Sequence, residues 1–132
     1  MRNWARMFPG HVDEIARVRA FVRNLLEDHP AVHDAELIVS ELATNAIQHS
    51  RSKSNGGLFV VRVHDHGDRV RIAVTDYGSD EPWPRAVPTN AHPLAEHGRG
   101  LVLVDHIAKE WGSHPEPVGT CVWADIATPC EL

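Results

Sequence analysis

The sequence Glu36-Leu-Ile-Val-Ser-Glu-Leu-Ala-Thr-Asn-Ala-Ile-Gln-His-Ser50 has the composition of a buried helix that also carries polar, reactive side chains. Its apolar residues predict a helix over about 33–50 that is apolar nearly all round. Glu41, Asn45 and His49 recur every four residues and therefore share one stripe of that helix. A carboxylate can activate a hydroxyl group and a carboxamide can hold a hydrated cation. Because both groups are costly to bury without partners, this helix predicts a functional site.

A purely structural explanation of the same residues is also open. Glu41 and Asn45 can form a polar pair inside a core helix, with their hydrogen bonds satisfied by capping or by buried water. His49 falls in the last turn of the predicted helix, where a histidine interacts favourably with the helix dipole. For His49 we expect this structural role.

The bulk composition predicts one globular domain, residues 1–132. A formal net charge of −5 argues against nucleic acid as the main partner. There is no apolar run of membrane-spanning length and no secretory leader, so we expect no membrane partner and a cytoplasmic location. Cys121 and Cys130 are predicted to be a strand residue and a tail residue, forming neither a disulfide framework nor a zinc site.

The ten histidines of the chain do not predict a metal site. His64 and His66 share one face of a predicted strand, while His92 and His97 fall in a predicted loop. None of these spacings matches a closed zinc site, and a His-x-His pair near a hairpin usually faces solvent.

The remaining elements follow from periodicity and turn signals. Residues 1–10 predict an edge strand and a turn, and Pro30 is expected to stop the first helix. In chain order, the sequence further predicts a helix over His11–Asp28, two strands (Leu58–His66 and Arg69–Asp76) around a Gly67-Asp68 turn, a helix from Gly98 to about Glu110, and two strands (Trp111–His114 and Thr120–Ile126).

Residues 79–97 show no periodicity and contain several prolines. A stretch of this length without regular structure, inside a compact domain, is typical of a working loop such as a lid. Gly78 and Gly98 flank it and are its expected hinges.

Helices and strands that occur in separate blocks predict a two-layer α/β (α+β) sandwich. We expect a mostly antiparallel sheet that is covered on one face by about three helices. Asp76 has the same parity as the apolar residues of its strand, and Thr120 has the same parity as those of the last strand. Both side chains should therefore point from the sheet toward Glu41 and Asn45, in one cavity between the layers.

At this point the residues match a known family. The chain resembles the GHKL, or Bergerat-fold, ATPases, which include gyrase, heat-shock chaperones, histidine kinases and mismatch-repair proteins. Within this superfamily it resembles the small bacterial anti-sigma factors that are also serine-protein kinases. The matching motifs span about residues 10–127 and are the N box Glu41–His49, the glycine boxes Asp76–Gly78 and Gly98–Leu101, and the terminal pair Gly119-Thr120.

The resemblance implies that the cavity binds ATP and Mg²⁺. Asp76 would accept a hydrogen bond from the exocyclic amine of adenine, with Thr120 helping and Gly78 leaving room for the base. Asn45 would be the Mg²⁺ ligand. The backbone amides of Gly98, Arg99, Gly100 and Leu101 would cradle the phosphates at a helix N-terminus, with the Arg99 side chain neutralising phosphate charge.

The resemblance also implies a reaction and partners. Glu41 would be the general base that takes the proton from a serine hydroxyl, or from water in a plain ATPase. The implied partners are a sigma factor and an anti-sigma antagonist protein. A homodimer through the sheet is implied as well, because the strand Leu58–Val63 is apolar enough to permit it.

One departure from the family pattern leaves a second function open. Asp80 occupies the position where the first glycine box often has a second glycine. The chain would then be an anti-sigma or interaction module that binds nucleotide without kinase activity. A third function, the catalytic piece of a sensor histidine kinase, is not expected, because no paired dimerisation helices with an acceptor histidine precede the N box.

Overall fold

The computed structural model describes residues 2–49, 57–77, 99–117 and 119–128. Within them, five strands form one sheet and three α-helices cover one face of it. The elements in chain order are β1 (Arg2–Pro9), a 3-10 turn (Val12–Glu14), α1 (Ile15–Leu25), α2 (Val32–His49), β2 (Leu58–Asp65), β3 (Arg69–Tyr77), α3 (Arg99–Ile107), β4 (Glu110–Glu116) and β5 (Gly119–Ala127). The predicted two-layer sandwich is confirmed.

The sheet has the order β1-β2-β3-β5-β4, and every neighbouring pair is antiparallel. β1 lies at one edge, which confirms the edge strand predicted for residues 1–10. β4 forms the opposite edge and contains Pro115. An edge strand tolerates proline because the N–H groups on its outer side bond no neighbouring strand.

The core lies between the helices and the inner face of the sheet, and aromatic side chains close it next to β1. The Phe8 ring stacks on Phe59 with centroids 5.7 Å apart and meets the edge of Phe21 at 5.8 Å. The fully buried aliphatic side chains of the helices and strands complete the core: Val18, Val22, Ile38, Val39, Leu42, Val61, Val63, Val70, Ile72, Val74, Leu101 and Val104.

Helix α2 is buried on the sheet side and paired with α1 through a carboxylate. Glu36 is 8% exposed and accepts a hydrogen bond from Arg23 Nη1 at 3.0 Å, with Arg19 Nε at 3.8 Å. The prediction that α2 is buried because it is apolar nearly all round is too broad, since Leu37 is 41% exposed. No helix of the described ranges has the length and hydropathy needed to cross a membrane.

Two predicted helix ends are wrong. The first helix ends at Leu25 and not at Asp28, because Asp28 has a left-handed backbone with φ 66° that a continuing α-helix does not allow. The last helix ends at Ile107 and not near Glu110. The Lys109 amide donates to the Asp125 carbonyl oxygen at 2.8 Å, which draws the chain into β4.

The outer face of the sheet, away from the helices, contains a buried ion pair. Asp125 is 3% exposed and accepts two hydrogen bonds from Arg71, Nε to Oδ1 at 2.7 Å and Nη2 to Oδ2 at 2.9 Å. The guanidinium of Arg71 also lies 4.1 Å from the centroid of the Trp123 ring. Burial alone would raise the pKa of the Asp125 carboxyl, but Arg71 outweighs it and holds that pKa below its usual value.

We expect Asp125→Ala to lower the free energy of unfolding by about 2–3 kcal/mol at neutral pH, because it leaves Arg71 without its charged acceptor. A depressed carboxyl pKa stabilises the fold above the unfolded value of about 3.9, and this stabilisation is lost as pH falls through the folded value. The difference between variant and wild type should therefore shrink in acid, which urea unfolding at several pH values measures.

The matched control is Asp68→Ala. The Asp68 side chain is 77% exposed and lies 3.7 Å from Arg69 Nη1, so its removal should change stability by less than about 0.5 kcal/mol. Equal losses in the two variants would contradict the role assigned to Asp125.

Candidate functional site

Asp76 and Thr120 lie directly opposite each other in the pairing of β3 with β5. Asp76 alternates with Val74 and Ile72, and Thr120 alternates with Val122, so both side chains belong to the face covered by the helices. They are 4% and 0% exposed. The structure thus places these two predicted site residues next to each other on the predicted face.

The Asp76 carboxylate is buried with one of its oxygens unsatisfied. Among the described residues, Oδ1 has no hydrogen-bond partner. Burial raises the pKa of Asp76 to about 6, although backbone hydrogen bonds from Thr120 and from Asp76 itself act in the opposite direction. Burying a carboxylate oxygen without a hydrogen-bond partner costs free energy. Such a group is typical of a ligand-binding site.

Gly119 lets the backbone of β5 approach Asp76 closely. A Cβ atom at Gly119 would lie 1.8 Å from the backbone oxygen of Asp76 and 3.0 Å from its Oδ1. The first distance is far inside any real contact, and its partner is backbone, which cannot rotate away. Only glycine at this position lets β3 and β5 pair here.

Helix α2 brings the second pair of predicted residues to the sheet. Asn45 is 6% exposed, whereas Glu41, one turn earlier, is half-buried. Their neighbours Leu42 and Ala46 are buried in the core, and α2 packs against the strands that carry Asp76 and Thr120. The carboxamide is therefore enclosed, while the carboxylate keeps access to solvent.

The glycine-led helix start is described only in part. Arg99 and Gly100 are the first residues of α3, and the side chain of Arg99 lies outside the description. Leu101 is 1% exposed within the core, so only its backbone amide is available to a ligand. The first amides of a helix have no partner in the helix and suit an anion.

Several predictions fall outside the described residues. They concern Gly78, Gly98, the proposed lid 79–97 with Asp80, and the side chain of His49, which is the last residue of α2. The predicted roles of these residues stay predictions.

The geometry explains why one candidate site residue is a glycine, which the sequence alone did not explain. Gly119 was noted only as the first member of a Gly-Thr pair, yet its missing side chain is what allows the close approach to Asp76. The available signal was a glycine at the start of an alternating strand, where glycine often marks a close backbone contact.

These features together define the kind of ligand that the inner face can bind. A heterocycle with an amine donor could donate to Asp76 Oδ1, where a charged acceptor gives a strong hydrogen bond. An enclosed carboxamide and the start of α3 then supply polar groups for a cation and an anion. The inner face thus fits a ligand that has both a base and a charged tail.

Comparison with known proteins gives a family match over nearly the whole chain. The family model described as "Histidine kinase-like ATPase domain" matches residues 8–126. The chain is 27% identical over 95 residues to the serine-protein kinase RsbW of Staphylococcus aureus, covering 65% of this chain and 60% of that protein. It is 32% identical over 88 residues to the serine-protein kinase RsbW of Bacillus licheniformis, covering 60% of this chain and 55% of the relative.

A solved structure shows the same fold. The histidine kinase domain of the Erythrobacter litoralis EL346 blue-light activated histidine kinase superposes with a TM-score of 0.55 at 21% identity. The match covers 92% of this chain and 62% of that chain. The chain therefore spans about 55–62% of the length of the proteins that it matches here.

We expect Gly119→Ala to destabilise the protein by about 2–4 kcal/mol, because the added Cβ overlaps backbone atoms of β3. Gly112→Ala is the matched control on β4. Its Cβ would meet only the Trp123 ring, at 3.2 Å, and a side chain can shift. That variant should lose less than about 1 kcal/mol. Thermal and urea unfolding measure both losses, and a Gly119→Ala protein as stable as its control would exclude the proposed close approach.

Proposed function

Because the chain belongs to the histidine kinase-like ATPase domain family, whose model matches residues 8–126, we propose that it is an ATP-dependent regulatory serine-protein kinase. ATP with Mg²⁺ would bind between the sheet and the helices. The observation that carries the proposal is the buried Asp76 Oδ1, which lacks a hydrogen-bond partner among the described residues.

Asp76 would recognise the adenine base. Its Oδ1 accepts a hydrogen bond from the exocyclic amine, and this contact removes the cost of the unsatisfied oxygen. Thr120, directly opposite, contributes its hydroxyl at the same edge of the base. As the family resemblance implies, Gly78 would leave the room that the flat ring needs.

Asn45 and the start of α3 would hold the charged end of the nucleotide. Asn45 supplies an amide oxygen as one Mg²⁺ ligand, and Mg²⁺ usually keeps several waters beside such a ligand. An ion held by Asn45 would offset the charge of the phosphates. The amides of Gly98, Arg99, Gly100 and Leu101 would cradle the phosphates, while the Arg99 guanidinium neutralises charge next to them.

Glu41 would act as the general base. It lies one turn before Asn45 on α2, close to where the phosphates would be held, and it is only half-buried. A serine hydroxyl from another protein can therefore reach its carboxylate. Taking up the hydroxyl proton contributes about 10²–10⁴-fold to the rate of such a reaction.

The relatives are named serine-protein kinases, and the proposed partners are those that the family resemblance implies. We propose that the chain works in the cytoplasm, sequesters a sigma factor and phosphorylates a serine on an antagonist protein. The whole chain 1–132 would be one domain with the lid over 79–97. A homodimer would use the outer face of the sheet, because β2 is paired on both sides and Met7 and Leu58 are exposed there.

A second function is a nucleotide-dependent binding module without kinase activity. Asp80 favours it, since an acidic residue stands where the first glycine box of the family often has a second glycine. In that case the chain would bind ADP or ATP and a transcription regulator but transfer no phosphoryl group.

We expect Glu41→Ala to reduce phosphoryl transfer by about 10²–10⁴-fold while ATP binding is retained, because only the proton acceptor is lost. The assay uses γ-labelled ATP and purified candidate antagonist proteins, together with calorimetry of nucleotide binding. Glu27→Ala, which changes an exposed glutamate after α1, is the matched control and should behave as wild type.

Two outcomes of this experiment separate the kinase from the binding module and test the role of Glu41. Unchanged transfer in Glu41→Ala would remove Glu41 from the mechanism. A wild-type protein that binds ATP without phosphoryl transfer to any candidate would favour the binding module.

Asn45→Ala should lose Mg²⁺-dependent nucleotide binding, and full affinity in that variant would exclude Asn45 as a Mg²⁺ ligand.

We expect Asp76→Asn to weaken ADP binding by about 10–100-fold, because a neutral amide replaces a charged acceptor. In the wild type, affinity should fall as pH drops below about 6, where Asp76 becomes protonated. In the Asp76→Asn variant this pH dependence should be absent, and calorimetry with ADP on both sides of pH 6 measures the difference. Equal affinities at all pH values would exclude Asp76 as the base acceptor.

The same substitution should stabilise the protein without nucleotide. A carboxyl pKa that is raised on folding favours the protonated form, so its stabilisation is present below the unfolded pKa and is lost as pH rises through about 6. Above pH 6 the Asp76→Asn protein should unfold with a free energy about 1–3 kcal/mol higher than the wild type. Below about pH 4, the normal range of a free carboxyl, the two should be equal.

A further inference from the structure

A group of side chains with metal-binding atoms lies on the outer face of the sheet, away from the proposed nucleotide site. His114 and Glu116 alternate on β4, and His114 is directly opposite Cys121 of β5. One imidazole nitrogen, one carboxylate oxygen and the thiol sulfur all lie within 4.8 Å of one another. The proposed kinase function uses none of these three residues.

Strand pairing fixes their positions relative to one another. Residues directly opposite on one face of an antiparallel pair have Cβ atoms about 4.5–5.5 Å apart, and diagonal neighbours are within reach of long side chains. His114 and Cys121 form such an opposite pair, and Glu116 is the diagonal neighbour of Cys121. The arrangement therefore follows from the sheet and not from a chance approach of surface loops.

The distances suit a tetrahedral ion after small rotations. Sulfur, nitrogen and oxygen ligands around such an ion are about 3.3–3.8 Å apart. His114 Nε2 already lies 3.9 Å from Glu116 Oε1. These two side chains are 51% and 34% exposed and can rotate, whereas Cys121 is buried and serves as the fixed point.

Two consecutive hydrogen bonds connect Arg62 to Cys121 through Thr75. Arg62 Nη1 donates to Thr75 Oγ1 at 3.3 Å, and the Thr75 hydroxyl bonds to the Cys121 sulfur. Burial raises the pKa of the Cys121 thiol, while the bond from Thr75 lowers it. Partners of this kind orient a ligand and stabilise its metal-bound, charged form.

We propose that His114, Glu116 and Cys121 form a binding site for a borderline-soft divalent cation of the Zn²⁺ class. Thiolate and imidazole select such ions, whereas Mg²⁺ and Ca²⁺ prefer oxygen ligands only. Three protein ligands leave a fourth position for water or for a group from another molecule. The site is thus chemically distinct from the Mg²⁺ position proposed at Asn45.

The position gives the ion a mechanical role. Cys121 directly follows Thr120, and Glu116 is paired with Gly119 at the turn end of the β4–β5 hairpin. An ion bound by residues of both strands holds the turn end of the hairpin together. It therefore stiffens the strand that places Gly119 and Thr120 beside Asp76, although the ion lies on the opposite face.

The test uses the full chain with Cys130→Ser as the parent, so that Cys121 is its only cysteine. After dialysis against a chelator, Co²⁺ is titrated as an optical probe and its thiolate charge-transfer absorption is recorded, followed by displacement with Zn²⁺. We expect one ion per chain in the parent. The absorption should disappear with Cys121→Ser, and the affinity should fall about tenfold or more with His114→Ala and with Glu116→Gln.

Two control variants separate this site from other histidines and from the nucleotide site. His64→Ala changes a histidine of β2 that stacks on His66 elsewhere on the same face, and Asn45→Ala removes the proposed Mg²⁺ ligand. Both should keep the cobalt absorption. Melting curves of all variants check folding, and the exposed positions His114 and Glu116 keep the test decisive if Cys121→Ser fails to fold.

The outcomes that overturn the proposal are specific. Absence of cobalt and zinc binding by the folded parent at micromolar ion would exclude the site. Full affinity after both His114→Ala and Glu116→Gln would show that the thiol binds without these ligands. Failure of ATP or ADP binding would leave this result unchanged, because the cobalt readout does not depend on nucleotide.

Discussion

The pairing of β3 with β5 at Asp76 and Thr120 is the constraint on which the rest of the site depends. This pairing requires glycine at position 119, because a Cβ there would lie 1.8 Å from the Asp76 backbone oxygen. The close approach places a carboxylate and a hydroxyl opposite each other on the inner face, beneath α2.

This arrangement has a cost in the folded state that other contacts must offset. An ionised Asp76 whose Oδ1 has no partner among the described residues is unfavourable in the interior, and burial accordingly raises the pKa of its carboxyl. The bidentate Arg71–Asp125 pair lies on the other face of the sheet, whereas Phe59, which stacks on Phe8, is directly opposite Asp76 in the pairing of β2 with β3. Both contacts stabilise the sheet. The domain therefore keeps one region poorly satisfied, and in proteins such regions are commonly functional.

Strand β5 serves both faces of the sheet because successive side chains point in opposite directions. Thr120 points toward the helices, and Cys121, the next residue, points to the outer face beside His114. The proposed nucleotide site and the proposed cation site can therefore use adjacent residues without contacting each other. The same strand also carries Asp125, so the outer face has a satisfied ion pair at one end and the proposed cation ligands at the other.

The sequence by itself determined the class of fold and the face on which each strand residue lies. Helical and strand periodicities are local properties, so the stripe of Glu41 and Asn45 and the inward parity of Asp76 and Thr120 could be read from the chain. Only the tertiary structure decided which residues meet. The contact of Gly119 with Asp76 and the grouping of His114 with Cys121 depend on strand register, and the end of α3 depends on the bond from Lys109 to β5. These contacts join segments whose alignment is fixed by the packing of the whole domain, because no local pattern specifies which partner strand a residue will face.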